Sequence, residues 1–132
     1  MNYLIDTQIM LWLLANDSKL SRRAIDIITD LNNAVYFSQI SLIEIAIKLK
    51  LGKLKLHVDL PIISQTLQND GYEQLNIQNK HILSYQHIPL YDNHRDPFDR
   101  LLIATALSEN FSLITSDEKF ILYQNLIPLV KV

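Results

Sequence analysis

Four acids stand out for what they could do if a fold brought them together: Asp6 in NYLID, Glu44 in SLIEIAIK, Asp99 in HRDPFDR and Asp117 in LITSDEK. An ionised carboxylate offers only acceptor oxygens, and several in one place repel until something positive relieves them. Hard divalent cations with oxygen ligands do this, and Mg²⁺ is typically held by one or two carboxylates plus substrate phosphate. The chemistry such a site performs best is phosphodiester hydrolysis, in which the metal polarises the phosphoryl group and activates a water.

Each acid also has a plain structural reading. Asp96, Pro97 and Asp99 make an ordinary helix start, with a cap, a proline at the first helical position and an acid at the third. The helix dipole favours acids there by about 0.3–1 kcal/mol. Asp117 could cap SDEKFILY, and Glu44 could pair with Lys48 one turn on, a surface contact worth a few tenths of a kcal/mol. Yet Ile43, Ile45, Ala46 and Ile47 surround Glu44, which is odd for a surface pair. Asp6 is the least ordinary, because a carboxylate ending a buried strand is costly to desolvate unless paired or metal-bound.

The elements that must position these acids follow from hydrophobic spacing. NYLID reads as a short buried strand, and TQIMLWLLAND as a helix capped by Thr7, with Ile9, Trp12 and Leu13 on one face. Residues 21–32 carry Ala24, Ile27, Ile28 and Leu31 at helical intervals, and AVYFS (34–38) is strand-like. In ISLIEIAIKLKLG, Ile40, Ile43, Ile47 and Leu51 form an apolar stripe, and Gly52 stands where a helix C-terminus wants it. Pro61 and Gly71 bracket another helix, followed by the strand YEQLNI and the short helix NKHILSYQH. After an Asp-rich loop come the helix DPFDRLLIATALSEN, the strand FSLIT (111–115), the short helix SDEKFILY and a last strand in LIPLVKV. Strands alternating with helices predict an α/β fold with a parallel sheet covered on both faces, in one domain over 1–132. Ligands of open parallel sheets bind beyond the carboxyl ends of the strands, where Asp6 and Asp117 fall.

Composition narrows the classes. Twelve basic against fourteen acidic residues give a net charge of −2, so nucleic acid is not held mainly by charge neutralisation; a metal or a local patch would have to supply positive charge. The absence of cysteine excludes disulfides, zinc–thiolate sites and iron–sulfur clusters. No apolar run approaches membrane-spanning length, and Asp6 interrupts the apolar opening that would otherwise suggest a signal peptide. The expectation is a soluble, cytoplasmic protein.

Taken in order, YLIDTQIMLWLL, SLIEIAIKLKLGKL, HRDPFDRLLIATAL and LITSDEKF resemble the PIN-domain nucleases, and more narrowly the VapC-type toxins of bacterial toxin–antitoxin pairs. The likeness runs from near residue 2 to near residue 123 and is weakest over 55–88. It implies a three-layer α/β/α sandwich with a central parallel sheet and an Mg²⁺- or Mn²⁺-dependent endoribonuclease. Position by position, the family's acidic set matches Asp6, Glu44, Asp99 and Asp117 as catalytic and metal-holding residues. Asp96 belongs to the same motif and is expected to cap the helix or support a ligand from behind. Thr7 and Thr115 sit beside the carboxylates and could orient them. The resemblance also implies a cognate antitoxin that covers the active-site groove with a basic side chain, and a homodimer.

Among the remaining candidates, Arg100 is expected to pair with a nearby acid rather than with phosphate, and Arg95 is the other positive neighbour. His94 is read as a solvated or hydrogen-bonded loop residue rather than a general base, since a metal-activated water needs none. Trp12 reads as core or partner-facing. The lysines at 48, 50, 53 and 55 are read as a helix end and loop before an RNA-facing patch. The rival readings are a PIN-fold nuclease of non-toxin role acting on DNA or RNA, a partner-binding module with a vestigial metal site, and a receiver-like Mg²⁺-binding module. The intact acid set argues against a vestigial site. The receiver reading is weakened because Asp6 is flanked by Ile5 and Thr7 instead of a second acid.

Overall fold

The computed structural model describes residues 1–132. Five strands, β1 (Asn2–Ile5), β2 (Ala34–Ser38), β3 (Glu73–Leu75), β4 (Ser112–Thr115) and β5 (Leu129–Lys131), form one sheet in the order β3-β2-β1-β4-β5. Every pairing is parallel, with Leu4 opposite both Tyr36 and Leu113. Six helices connect them: α1 (Thr7–Ala15), α2 (Arg22–Thr29), α3 (Gln39–Lys50), α4 (Leu60–Asn69), α5 (Asn79–Ser84) and α6 (Pro97–Glu109). Short 3₁₀ turns span Tyr85–His87 and Glu118–Tyr123.

Strand side chains alternate between two apolar layers, as the pleat requires. Tyr3, Ile5, Val35, Phe37, Ile114 and Val130 pack with Ile9 and Met10 of α1, Ala24 and Ile28 of α2, and Ile63 and Leu67 of α4. Leu4 and Leu113 face the other way, onto Leu102, Ile103 and Ala106 of α6 and onto Phe120 and Tyr123. The result is the α/β/α sandwich with a central parallel sheet that the sequence predicts.

Sheet order decides where a ligand can sit. From β1 the chain moves outward through β2 to β3, then returns to the opposite side of β1 as β4 and β5. The direction reverses between β1 and β4, and a crevice opens at such a point beyond the strands' carboxyl ends. The order also differs from the 2-1-3-4-5 arrangement of receiver-like sheets, which sets that rival aside.

Several local expectations need correction. Asp6, not Thr7, caps α1, and β1 stops one residue earlier at Ile5. Leu31 lies beyond α2 and is fully exposed, because the helix ends at Thr29. The largest correction concerns α3. Ile43 and Ile47 are 41% and 42% exposed and Leu51 more so, while Ile40, Ser41, Glu44 and Ile45 are buried. Ile40 packs into one apolar layer and Ile45 into the other, so α3 lies across the end of the sheet and turns Glu44 inward. The end of α3 is as expected. Gly52 takes φ +70°, and the Gly52 and Lys53 N–H groups donate to Leu49 O and Lys48 O, closing a Schellman motif.

This packing reverses the standing of two isoleucines: Ile47, in the stripe the sequence offers, is 42% exposed, and Ile45, outside it, is fully buried. Ile45→Ala should cost about 2–5 kcal/mol in chemical denaturation, and Ile47→Ala about 0.5 kcal/mol or less. Equal losses would contradict the orientation of α3.

Candidate metal centre

Asp6 is held from both ends. Its backbone N–H continues the β1–β4 ladder to Ile114 O at 3.1 Å, and its Oδ1 accepts the Ile9 N–H of α1 at 2.9 Å. Thr7 follows as the first residue of α1 and turns its hydroxyl to α3, 2.9 Å from both Glu44 Oε1 and Ser41 Oγ. An ionised carboxylate can only accept, so Thr7 donates to Glu44. The other Glu44 oxygen, Oε2, meets Lys48 Nζ at 2.8 Å. The ion pair that a surface reading anticipates therefore exists, but it is made by a buried glutamate.

Asp96 caps α6, its Oδ1 accepting from the N–H groups of Phe98 at 2.9 Å and Asp99 at 3.3 Å. Pro97 supplies the first helical residue, and Asp99 stands in the first turn with Oδ2 3.1 Å from His94 Nε2. Asp117 follows β4; its N–H donates to Thr115 Oγ1 at 3.0 Å and its Oδ1 accepts the Lys119 N–H at 2.9 Å, capping the 3₁₀ turn. Four segments thus bring Asp6, Glu44, Asp99 and Asp117 into one cleft of about 220 Å³, together with Thr7, Asp96, Lys48 and the apolar Leu11 and Phe120. Ligating atoms of His94, Asp99 and Asp117 all lie within 4.8 Å of one another.

The electrostatics are strained in one direction. Burial, above all, pushes the Asp6 carboxyl up to about 6, with Asp117 and Glu44 adding repulsion; hydrogen bonds from Thr115 and the Ile9 N–H oppose this only partly. Asp99 is raised as well, first by burial and then by the charge of Asp96, against the pull of His94. Five carboxylates and one ammonium line the cleft. An all-oxygen donor set short of positive charge fits a hard divalent cation such as Mg²⁺ or Mn²⁺. Asp6, Glu44, Asp99 and Asp117 are the residues that could hold it.

Arg100 does not join this set. One residue past Asp99 on α6 points a different way, and Arg100 is 3% exposed, donating to Pro89 O (2.9 Å), Ile88 O (3.1 Å) and Tyr85 OH (3.2 Å) while lying over the Tyr85 ring. It pairs with no acid; it ties the segment after α5 to α6. Arg95 pairs with Asp92 at the surface. Trp12 is half-buried against the core, and Lys50, Lys53 and Lys55 are exposed. One group was missed by sequence reasoning. Ser41 completes the Thr7–Glu44 contact, and its only signal is its place one turn before Glu44. Of the two readings the sequence leaves open for His94, solvated or hydrogen-bonded, the second holds: the ring is buried, with Nε2 3.1 Å from Asp99 Oδ2.

A family model described as PIN domain matches residues 3–125. No curated protein sequence matches the chain. Among solved structures, the chain is similar to VapBC2 from Rickettsia felis bound to a DNA fragment from its promoter, with TM-score 0.68, 21% identity and coverage of 99% of this chain and 98% of that one. VapBC-1 from nontypeable Haemophilus influenzae aligns with TM-score 0.66 and 23% identity over the same shares of the two chains. FitAcB from Neisseria gonorrhoeae gives 0.64 and 17% over 98% and 96%. At these identities the likeness speaks for the fold.

Two stability measurements follow from the geometry. Because Asp6 ionises near pH 6 when folded and near pH 3.9 when unfolded, the stability linked to its neutral form is full below the lower value and is lost as pH rises through the higher one. Metal-free protein should therefore melt at a lower temperature at pH 7.5 than at pH 5. Asp6→Asn, which can still cap α1, should reduce that difference; a melting temperature that climbs across this range in wild type alone would contradict the crowding. Separately, Asp96→Ala should cost about 1 kcal/mol through the lost cap, whereas metal-free Asp99→Asn should melt no lower than wild type.

Proposed function

The chain belongs to the PIN domain family, and on that premise we propose that it is a metal-dependent endoribonuclease, the toxin of a toxin–antitoxin pair. The observation that carries the reading is the meeting of four carboxylates from four separate segments in one cleft at the reversal point of the sheet. When bound there, Mg²⁺ or Mn²⁺ supplies the positive charge that lets an acidic protein receive a phosphodiester and polarises it toward attack by water.

The chain's own residues prepare the site. Asp6 is fixed by the β1–β4 ladder and by its cap on α1, so its carboxylate cannot swing away from the cleft. Thr7 and Lys48 hold the two oxygens of Glu44 and fix its orientation. Thr115 lies behind, its Oγ1 accepting the Asp117 N–H and bracing the turn that presents Asp117. Lys48, 44% exposed at its side chain, can exchange Glu44 for an incoming phosphate oxygen at the rim.

The toxin assignment and an antitoxin partner are supported by the likeness to VapBC and FitAcB structures together with the family motifs. In this reading the antitoxin covers the cleft and brings a basic group to the surplus carboxylates, and the toxin itself pairs as a homodimer in the cytoplasm. No helix is long and apolar enough to cross a membrane. A PIN nuclease of non-toxin role uses the same cleft and differs in its substrate and in lacking an antitoxin.

The purified chain should cut single-stranded or loop RNA with Mg²⁺ or Mn²⁺, leave single-stranded DNA intact, and stop on addition of EDTA. Asp6→Asn and Asp99→Asn should each reduce cleavage to background, and either should relieve growth arrest caused by expressing the wild type. Undiminished cleavage in both variants would falsify the assignment. Cleavage of DNA in preference to RNA, without growth arrest, would favour the non-toxin reading.

A further inference from the structure

His94 sits two residues before the cap of α6, yet its ring is fixed on every side. Phe120 meets it edge-on with centroids 5.5 Å apart, and Tyr123 does so at 5.3 Å. Its Nδ1 lies 2.7 Å from Tyr123 OH and its Nε2 3.1 Å from Asp99 Oδ2. An ionised Asp99 can only accept, so Nε2 must carry the shared proton; in the neutral ring Nδ1 is then an acceptor and takes the Tyr123 O–H. Tyr123 is itself immobilised, fully buried and edge-on to Tyr91, whose hydroxyl donates to Leu122 O at 3.2 Å. Donors therefore run in one direction, from Tyr123 through His94 into Asp99. The other carboxylate oxygen, Oδ1, accepts no hydrogen bond from the protein and is left to the cleft.

We propose that His94 is a positioning residue for Asp99: its Nε2–H holds Oδ2 and presents Oδ1 to the cation, and the Tyr123 hydroxyl, donating to Nδ1, supports the ring tautomer that can do so. The inference rests on the metal reading above and extends it to two residues outside the acidic set. A carboxylate in the first turn of a helix has several rotamers open to it, and a cation binding it must freeze them; a buried imidazole that has already chosen one lowers that cost. Supporting donors behind metal ligands typically carry 10–100-fold in metal affinity.

The test is Mn²⁺ binding to the full chain without RNA, followed by the loss of the free-ion signal in electron paramagnetic resonance, at a temperature where circular dichroism shows each variant folded. His94→Leu should weaken Mn²⁺ binding about tenfold or more. His94→Gln, whose amide can replace the Nε2 donor, should recover most of the affinity. Tyr123→Phe, which keeps the ring and removes only the hydroxyl, should fall between wild type and His94→Leu, and it carries the test alone if His94→Leu does not fold. Wild-type affinity in folded His94→Leu, or in Tyr123→Phe, overturns the proposal, as does a His94→Gln variant as weak as His94→Leu. In each of those outcomes the wild type still binds Mn²⁺ and the nuclease reading stands; a wild type that binds none defeats both.

Discussion

Carboxylates that lose water while approaching one another each become harder to ionise, and Asp6 meets that condition most fully, buried at the end of β1 with Asp117 and Glu44 nearby. Such a group is expensive unless something compensates it. The surrounding structure compensates in part: a cap on α1, the Thr7 hydroxyl, one ammonium from Lys48 and an imidazole beside Asp99. These contacts fix the acids in place without neutralising them. In the proposed reading, the remaining deficit of positive charge is what suits the cleft to a cation and, through the cation, to a phosphodiester.

The sheet makes that crowding unavoidable. Parallel pairing puts the carboxyl ends of all five strands at one edge, and the order β3-β2-β1-β4-β5 opens its crevice between β1 and β4. Asp6 follows the first of those strands directly, and Asp117 stands two residues past the second. Glu44 arrives because α3 crosses the sheet end with Ile40 in one apolar layer and Ile45 in the other. Asp99 arrives because Asp96 and Pro97 start α6 at the same edge. Packing of ordinary aliphatic side chains thereby fixes the placement of charges that would otherwise drive the segments apart.

Much of this was legible in the sequence, and the failures share a cause. Alternating strands and helices, the cap at Asp96 and the stop at Gly52 depend on local chemistry, and each is where the sequence places it. The stripe of Ile40, Ile43, Ile47 and Leu51 misled because α3 touches both layers, so its buried residues do not follow one helical face. Hydrophobicity alone could not reveal that Glu44 and Ser41 face inward while Ile43 and Ile47 face out. Arg100 is expected from the sequence to pair with an acid, but three acceptors in the segment after α5 satisfy it instead. Those partners are set by tertiary packing between α5 and α6. For His94 the sequence leaves solvent and a hydrogen bond open, because Tyr123, which fixes its ring, lies 29 residues away.

The most direct measurement is crystallographic: anomalous scattering from Mn²⁺ in crystals of the wild-type chain and of Asp6→Asn. The wild type should show a peak between the carboxylates of Asp6 and Asp99, at oxygen distances of about 2.0–2.3 Å, and the variant should lose or weaken it. Density free of Mn²⁺ at that cleft, with the ion found only on surface acids, would contradict the claim that these four carboxylates are a metal centre.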